Sequence, residues 1–150
     1  MKVKFPDSRM VSYGILGGVI GGILFGILMQ MQGMIGMIAA MIGSESTVVG
    51  WVIHMIISII FGISFVAVTS FIHNLWAAAV VFGIGIWVVG PLVIMPLALG
   101  MGTMVAQAFA PEQMMSLATH LFFAFVVAVT VNLLKRNEKA DEKEFTLKTS

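Results

Sequence analysis

Four long apolar segments divide the chain, separated by short stretches of polar and turn-forming residues. A membrane hydrocarbon core of about 30 Å needs about 20 residues of α-helix, because each residue advances the helix by about 1.5 Å. Apolar runs of that length lie at about 11–31, 48–71, 75–99 and 114–134. The pattern predicts an all-α, polytopic membrane protein, a four-transmembrane-helix bundle with residues 11–134 as its membrane domain.

The connectors indicate how the four spans follow one another. His73 and Asn74 are the clearly polar residues between the second and third spans, so a tight turn should make these two spans antiparallel neighbours. Residues 33–44, between the first and second spans, are apolar but too few to cross, and their side chains recur at helical spacing. They form either a short interfacial helix or a continuation of the first span. A turn-rich connector at 100–113 leads to the fourth span.

Composition excludes a soluble domain. Hydrophobic residues make up 59% of the chain and charged residues 10%, whereas soluble domains carry about 25% charged residues. There is no cysteine, which excludes disulfides, iron–sulfur clusters, thiolate zinc sites and cysteine catalysis. The net charge of +1 leaves no basic surface for nucleic acid. The lipid bilayer is therefore the first expected partner.

The basic residues are confined to the two ends of the chain. All eight Lys and Arg lie within residues 1–9 or 135–150, while the connectors after the first and third spans carry only Glu45 and Glu112. Because basic residues beside membrane spans favour the cytoplasmic side, we expect a multi-pass protein of the inner (plasma) membrane with both termini cytoplasmic. Residues 1–10 form the N-terminal tail. The C-terminal tail, residues 135–150, is rich in Lys and Glu and should be a cytoplasmic helix end that frays into disorder.

The first apolar run follows a basic stretch, an order that also occurs in cleaved signal peptides. At about 21 residues, however, the run exceeds the usual length of about 7 to 15, and no small-x-small cleavage site directly follows it. We therefore expect it to be a membrane span.

Small residues recur every four positions on the predicted spans. The first span carries three overlapping Gly-x3-Gly units, a glycine zipper, and similar stripes run along the other spans. Lipid gives helices no hydrophobic reason to associate, so close backbone contact across small residues becomes a main source of cohesion. The four stripes should therefore face one another inside a compact bundle. The glycines expected to serve this packing are Gly14, Gly18, Gly22, Gly26, Gly50, Gly62 and Gly83.

The third span contains two prolines in its second half, Pro91 and Pro96. Each removes a backbone hydrogen bond and bends the helix, so this half of the span should be kinked, either as a feature of packing or as a functional hinge. Trp51 stands near the end of its span, as an interfacial anchor does, whereas Trp87 is deeper and should pack inside the bundle.

Two histidines lie inside predicted spans. His54 and His120 are each about six residues, or about 9 Å, from the same membrane boundary, and both belong to a small-residue stripe. Ionisable side chains within a span are costly and are functional candidates by default. The pair could serve as interhelical glue by bonding to each other, to Ser58 or to Ser116.

The same pair could instead hold a metal or a cofactor. Imidazoles from facing helices can ligate the iron of haem b. Imidazole with thioether suits Cu(I), and Met55, Met101 and Met104 are the candidate thioethers beside His54 and His120. The spans hold no Lys or Arg to pair with haem propionates, and the methionines form no tight repeated motif. We therefore expect no cofactor and keep haem and copper as alternatives.

Enzymatic chemistry has little support in the sequence. No carboxylate lies within a predicted span, and no nucleophile can be paired with a base. We expect a non-enzymatic bundle whose histidine pair stabilises one half of the membrane domain. The remaining alternative is a small transport or accessory subunit acting in a homo-oligomer or larger membrane complex, since one bundle of 16.1 kDa encloses little room for a pathway.

The order of several short motifs resembles a known family. The motifs are Gly50-Trp51-x-x-His54, Phe61-Gly62, Gly83-x-x-x-Trp87, Pro91, Pro96 and His120-Leu121. Together with the Gly-rich first span, they cover roughly residues 14–130 and resemble a family of small, uncharacterised prokaryotic integral membrane proteins with four spans. Such proteins often have Gly four residues after the last His, where this chain has Ala124. The resemblance implies a four-helix membrane protein and no particular activity.

Overall fold

Helices are the regular secondary structure in the part that the structure, a computed structural model, describes, which is residues 6–149. The expected tails extend beyond this part at residues 1–5 and at Ser150. Within it, the α-helices are α1 (Ser8–Met31), α2 (Met34–Ala40), α3 (Thr47–Val68), α4 (Leu75–Val89), α5 (Met95–Ala98) and α6 (Pro111–Thr149). A π-helical turn, Gly90–Ile94, joins α4 to α5, and a 3-10 turn, Val105–Gln107, precedes α6.

Four helical runs among the described residues have the length and apolar composition to cross a membrane. They are α1, α3, the continuous run Leu75–Ala98, and α6. The prediction of an all-α, four-helix membrane fold is thereby confirmed.

Side-chain caps mark where the chain enters α1 and α4. Asp7 accepts a hydrogen bond from the Met10 N–H at 2.9 Å. Asn74 accepts from the N–H groups of Trp76 and Ala77, both at 3.0 Å. Asp and Asn are favoured here because their side-chain oxygens satisfy amides that have no partner within the helix. Asn74 thus ends the tight turn between α3 and α4.

The α1 and α3 helices run antiparallel and meet along their small-residue stripes. A Cβ added to Gly14 would lie 2.6 Å from the carbonyl oxygen of Gly62, and one added to Gly62 would overlap the carbonyl oxygen of Gly14. One turn further on, a Cβ at Gly18 would overlap the carbonyl oxygen of Ser58. The two backbones therefore approach more closely than any side chain would allow, as helix pairs in lipid do when small residues line the contact.

The α6 helix packs against α1 on one side and α4 on the other. A Cβ added to Gly21 of α1 would lie 3.1 Å from the ring of Phe123, and one added to Gly83 of α4 would lie 2.9 Å from Leu121. The small-residue stripe of α4 therefore faces α6.

The stripes meet in two pairs, α1 with α3 and α4 with α6, and contacts between α1 and α6 join the pairs. This differs from our expectation that all four stripes would face one another. The physical reason is that α1 carries glycine on two faces, so it packs closely on α3 and α6 at once. The consecutive helices α3 and α4 touch only sparsely, and the four spans form an open arc.

Aromatic rings fill the centre of the bundle. Phe25, Phe65, Phe82 and Phe123 are buried. Edge contacts place the ring centroids of Phe65 and Phe82 5.6 Å apart, and those of Phe61 and Phe123 6.4 Å apart. Aromatic pairs in this geometry stabilise by about 0.5–1.5 kcal/mol beyond their burial. The middle of the membrane domain is thus closely packed side chain.

The apolar stretch 33–44 contains a separate helix and does not continue α1. Gly33 has a φ of 72° at the break between α1 and α2, in the left-handed region that favours glycine. Ile35 of α2 is fully buried, and a Cβ added to Gly50 would overlap its carbonyl oxygen. The α2 helix therefore folds back against the start of α3.

The third span is continuous from Leu75 to Ala98, but its α-helix is interrupted by a π-helical turn near the two prolines. Pro91 lies in the π-helical turn, and Pro96 is buried in α5. Pro96 has no N–H to offer the carbonyl of Leu92, four residues earlier. That carbonyl instead accepts from the Met104 N–H at 2.8 Å. The connector after α5 thus folds over the interruption and satisfies the acceptor that proline leaves open.

The C-terminal part of α6 is helical as far as Thr149, and the fraying of this helix end into disorder within residues 135–150 stays a prediction. With 39 residues, α6 is about 58 Å long and extends well beyond a hydrocarbon core of about 30 Å. Lys148 pairs with Glu144 at 2.5 Å across one turn, and such pairs support exposed helix. Lys, Glu and Ala also favour helix strongly, and this preference outweighs the low apolar content of the segment.

Candidate functional site

The two histidines lie toward one end of the bundle, away from the termini. The chain ends share the opposite, proximal end, because Arg9 of α1 forms an ion pair with Glu138 of α6. His54 lies early in α3 and His120 early in α6, and both helices begin at the far end, which we term the distal end. The candidate site is therefore distal.

His54 joins α3 to α1. Its side chain is only 4% exposed, and Nε2 donates to the carbonyl oxygen of Gly22 at 2.9 Å, which assigns the proton to Nε2. The bond is short because glycine at position 22 lets α3 approach; a Cβ there would lie 2.7 Å from the Cβ of Ser58. The Ser58 hydroxyl oxygen lies 3.5 Å from the same nitrogen, at the outer limit of a hydrogen bond.

His120 bonds within its own helix. Its Nδ1 donates to the carbonyl oxygen of Ser116, one turn earlier, at 2.7 Å. Ser116, one of the possible partners of the pair, thus accepts through its backbone carbonyl and not through its hydroxyl. Within residues 6–149, Nδ1 of His54 and Nε2 of His120 have no hydrogen-bond partner.

Phe25 connects the two imidazoles. Its ring centroid lies 5.6 Å from that of His54 and 5.0 Å from that of His120, with the rings edge to face in both contacts. Trp51 makes a similar edge contact with His54 at 5.9 Å. The structure thus brings together His54, His120 and Trp51 around an aromatic residue that sequence reasoning missed. Phe25 is the one bulky residue among the buried residues of α1, which are otherwise glycines that face α3 and α6. Its position among these glycines was the signal in the sequence that could have identified it.

Two further polar contacts hold the distal end. The Trp87 indole donates from Nε1 to the carbonyl oxygen of Gln113 at 3.0 Å, and the Trp51 indole donates to Oε1 of Gln30 at 3.1 Å. Trp87 is buried, as expected, while Trp51 is half-buried. The side-chain oxygen of Gln113 is itself buried and has no partner within the described part of the chain. No motif or periodicity in the sequence singles out Gln113.

The geometry does not suit a haem held between the two imidazoles. Ligation from both sides places each ring about 2 Å from the iron through nitrogen, with the macrocycle extending around it. The ring centroid of Phe25 lies within 5.6 Å of both imidazole centroids. The Phe25 ring would then occupy the place of the macrocycle. Phe25 is also buried and packed against Phe123, so it is part of the core.

The thioethers proposed as copper ligands lie in three different settings. Met101 is 56% exposed in the connector after α5. Met104 is half-buried and bonds through its backbone to Leu92. Met55 extends toward α1, with its sulfur 3.3 Å from where a Cβ of Gly22 would lie. Residues 6–149 also hold no group of three or more His, Cys, Asp or Glu side chains that could bind a metal.

A second candidate site is the space between α3 and α4, which we term the α3/α4 groove. It has a volume of about 350 Å³ and is open along one side. Its lining is almost wholly apolar, and the hydroxyl of Ser64 already donates to the Ile60 carbonyl at 2.8 Å. A Cβ added to Gly85 would meet nothing within 4 Å. The lining residues are Phe61, Ser64, Val68, Val81, Phe82, Gly85, Ile86 and Val89.

Comparison of the chain with protein-family models, curated proteins and solved structures finds no match. The function is therefore inferred from the chemistry of the site. Each imidazole donates one proton to a backbone carbonyl and contacts aromatic rings. His54 thereby joins α3 to α1, whereas the His120 bond stays within α6. The α3/α4 groove is an open apolar feature of the described part of the chain.

Proposed function

We propose that the protein is a non-enzymatic integral membrane protein that acts as a subunit of a homo-oligomer, with the α3/α4 groove as its contact with a second copy. The observation that supports this most directly is the apolar groove of about 350 Å³ between α3 and α4, which touch only sparsely although they are consecutive. Soluble oligomers are most often symmetric assemblies of one chain, and we extend that preference to this membrane subunit.

The filled interior favours a role at the surface of the bundle. Phe25, Phe65, Phe82 and Phe123 are buried at the centre, where a transport pathway through a single copy would have to run. His54 is bonded to Gly22 and serves in this proposal to hold α3 on α1. Chemistry carried by the bundle interior is thus less well supported than association through its outside.

The groove combines open space with exposed apolar side chains, which a neighbouring helix can contact. Gly85 has open space above it, and the exposed side chains at its edges are branched and apolar, with Val81 53% and Val89 50% exposed. Helices in lipid associate by van der Waals contact across small residues. A valine or isoleucine of a second copy placed over Gly85 would make such a contact.

We place the protein in the inner membrane, with both termini in the cytoplasm. Support comes from the eight Lys and Arg, all at the ends of the chain, and from the shared proximal position of α1 and α6. We also propose membership of the four-span prokaryotic family that the order of motifs from Gly50 to Leu121 resembles.

Cysteine cross-linking in native membranes tests the association. The chain has no cysteine, so Val81→Cys or Val89→Cys introduces a single thiol at the groove. We expect disulfide-linked dimers at these positions and a lower yield when Gly85→Leu fills the groove. Ile23→Cys on α1 and Val129→Cys on α6, 46% and 43% exposed, are matched lipid-facing controls that should stay monomeric. Equal yields at all four positions, or none, would contradict the proposal.

A further inference from the structure

Two side chains of α1 hold the carboxylate of Glu138 at the proximal end. The Arg9 guanidinium forms an ion pair with Oε1, and the Tyr13 hydroxyl donates to Oε2 at 2.9 Å. Both oxygens of this half-buried acid are thus engaged by a neighbouring helix. The negative charge of Glu138 is balanced by Arg9 and does not need a cation from α6 itself.

Three basic residues of α6 stand beside this carboxylate. Lys135, Arg136 and Lys139, which we term the basic collar, follow directly after Leu134, the last apolar residue of the fourth span. Lys135 and Lys139 lie one helical turn apart, so they share a face, with Cβ atoms about 6 Å from each other. Within residues 6–149, no ion pair involves any residue of the collar.

The position of Glu138 explains why Lys135 is left unpaired. An acid three residues after a lysine is its natural partner on a helix, and Glu138 has that spacing from Lys135. Arg9 and Tyr13 draw the carboxylate toward α1 instead. Glu142 has the same spacing from Lys139 but forms no ion pair with it in the described part of the chain.

The charge on α6 changes sign with distance from the membrane. The collar carries three positive charges at the point where the apolar span ends. Beyond it, acidic residues outnumber basic ones. There are three acids and two lysines: Asp141, Glu142, Glu144, Lys143 and Lys148. Positive charge is therefore concentrated at the level where phospholipid headgroups lie.

We propose that the basic collar binds the phosphate groups of anionic phospholipids at the proximal surface of the membrane. Lys135 and Lys139 are spaced to share one phosphate, and Arg136 adds a planar donor that suits phosphate oxygens. The Arg9–Tyr13–Glu138 contact supports the site by neutralising the nearest acid. The proposal does not depend on the α3/α4 groove or on self-association.

Lipid selectivity in vesicles provides the test. The full-length protein is reconstituted in phosphatidylcholine with trace spin-labelled phosphatidylglycerol or spin-labelled phosphatidylcholine, and the association constants of the two probes are compared. We expect the wild type to prefer phosphatidylglycerol several-fold. The double variant K135Q/R136Q should lose most of this preference, because each basic residue near an anionic surface can contribute up to about fivefold. NaCl at about 1 M, where the Debye length is about 3 Å, should also reduce it.

The matched control removes the same charge from the same helix. K143Q/K148Q lies beyond the collar and should keep the preference of the wild type, and circular dichroism verifies that every variant is folded. Equal losses in the two double variants would assign the effect to net charge and overturn the site. Equal binding of both probes by the wild type would overturn it too, as would displacement of labelled phosphatidylglycerol by soluble glycerol phosphate, since the ligand would then be free phosphate.

Discussion

His54 and Gly22 form a hydrogen bond between helices in the interior of the bundle, with Nε2 of the imidazole 2.9 Å from the carbonyl oxygen. A Cβ at position 22 would lie 2.7 Å from the Cβ of Ser58, so the absence of a side chain lets α3 come close enough for this bond. The glycine that permits close packing therefore also brings a hydrogen-bond acceptor within reach of the neighbouring helix.

Replacing His54 by Phe should weaken the attachment of α3 to α1 while keeping an aromatic ring of similar bulk. Interhelical hydrogen bonds in membrane proteins contribute about 0.6 kcal/mol on average and at most about 1.7 kcal/mol, so we expect a loss in that range. Reversible unfolding in mixed detergent micelles measures it. His120→Phe is the control, because its bond lies within α6; a larger loss there than at His54 would contradict our account of the pair.

The closest helix contact should tolerate no added methyl group. Gly62→Ala places a Cβ onto the carbonyl oxygen of Gly14, and overpacking of this kind costs about 1–3 kcal/mol. Gly36→Ala in α2 meets open space and should be neutral or stabilise by up to about 1 kcal/mol, as Ala does in a helix. The changes in unfolding free energy that the two substitutions cause, relative to the wild type, should therefore differ in sign or by more than about 1 kcal/mol. Similar values would refute the close contact.

Pro96→Ala should release the connector after α5. The new N–H at position 96 competes with that of Met104 for the Leu92 carbonyl, which the connector now reaches at 2.8 Å. Hydrogen exchange at the Met104 amide should become faster. Pro111→Ala changes the first residue of α6, where proline costs a helix nothing, and should leave that exchange rate unchanged. Unaltered exchange in Pro96→Ala would show that the proline does not determine this bond.

Protein purified from membranes in mild detergent should contain neither iron nor copper at one equivalent and should show no Soret absorption. The reason is steric, because Phe25 contacts both imidazoles in the place that a haem between them would need. Metal analysis and an absorption spectrum check this. A Soret band that disappears in His54→Ala or His120→Ala would establish the haem alternative instead.

A reporter fused after Ser150 should be cytoplasmic. Every Lys and Arg lies near a chain end, and basic residues beside spans are retained on that side. Paired reporters active in the cytoplasm or in the periplasm distinguish the two orientations, and a second fusion at Glu112 should give the opposite result. Periplasmic activity after Ser150 would reverse the proposed topology.

The helical fold could be predicted because its signals are local. Apolar runs of sufficient length specify spans, and Asn74 marks a turn through its own side chain. The depth of His54 and His120 also followed from residue counting. Each of these inferences needs only neighbouring residues or the thickness of the bilayer.

The relations missed by the sequence reasoning connect distant positions through neutral-looking residues. Phe25 is one apolar residue among many, and nothing in its surroundings along the chain shows that it contacts both histidines. The pairing of α4 with α6 depends on α1 using two glycine faces, which a stripe-by-stripe analysis does not reveal.

The equal spacing of small residues on α1 and α3 creates an ambiguity that the structure resolves. If α1 slipped by four residues, about 6 Å, Gly18 would replace Gly14 opposite Gly62, and small residues would still meet. After that slip the carbonyl of Gly26 would replace that of Gly22 opposite His54, but the bond of Trp51 to Gln30 and the ring contacts of Phe25 with both imidazoles would be broken. A few side-chain contacts thus select one alignment among several that the glycines alone would accept.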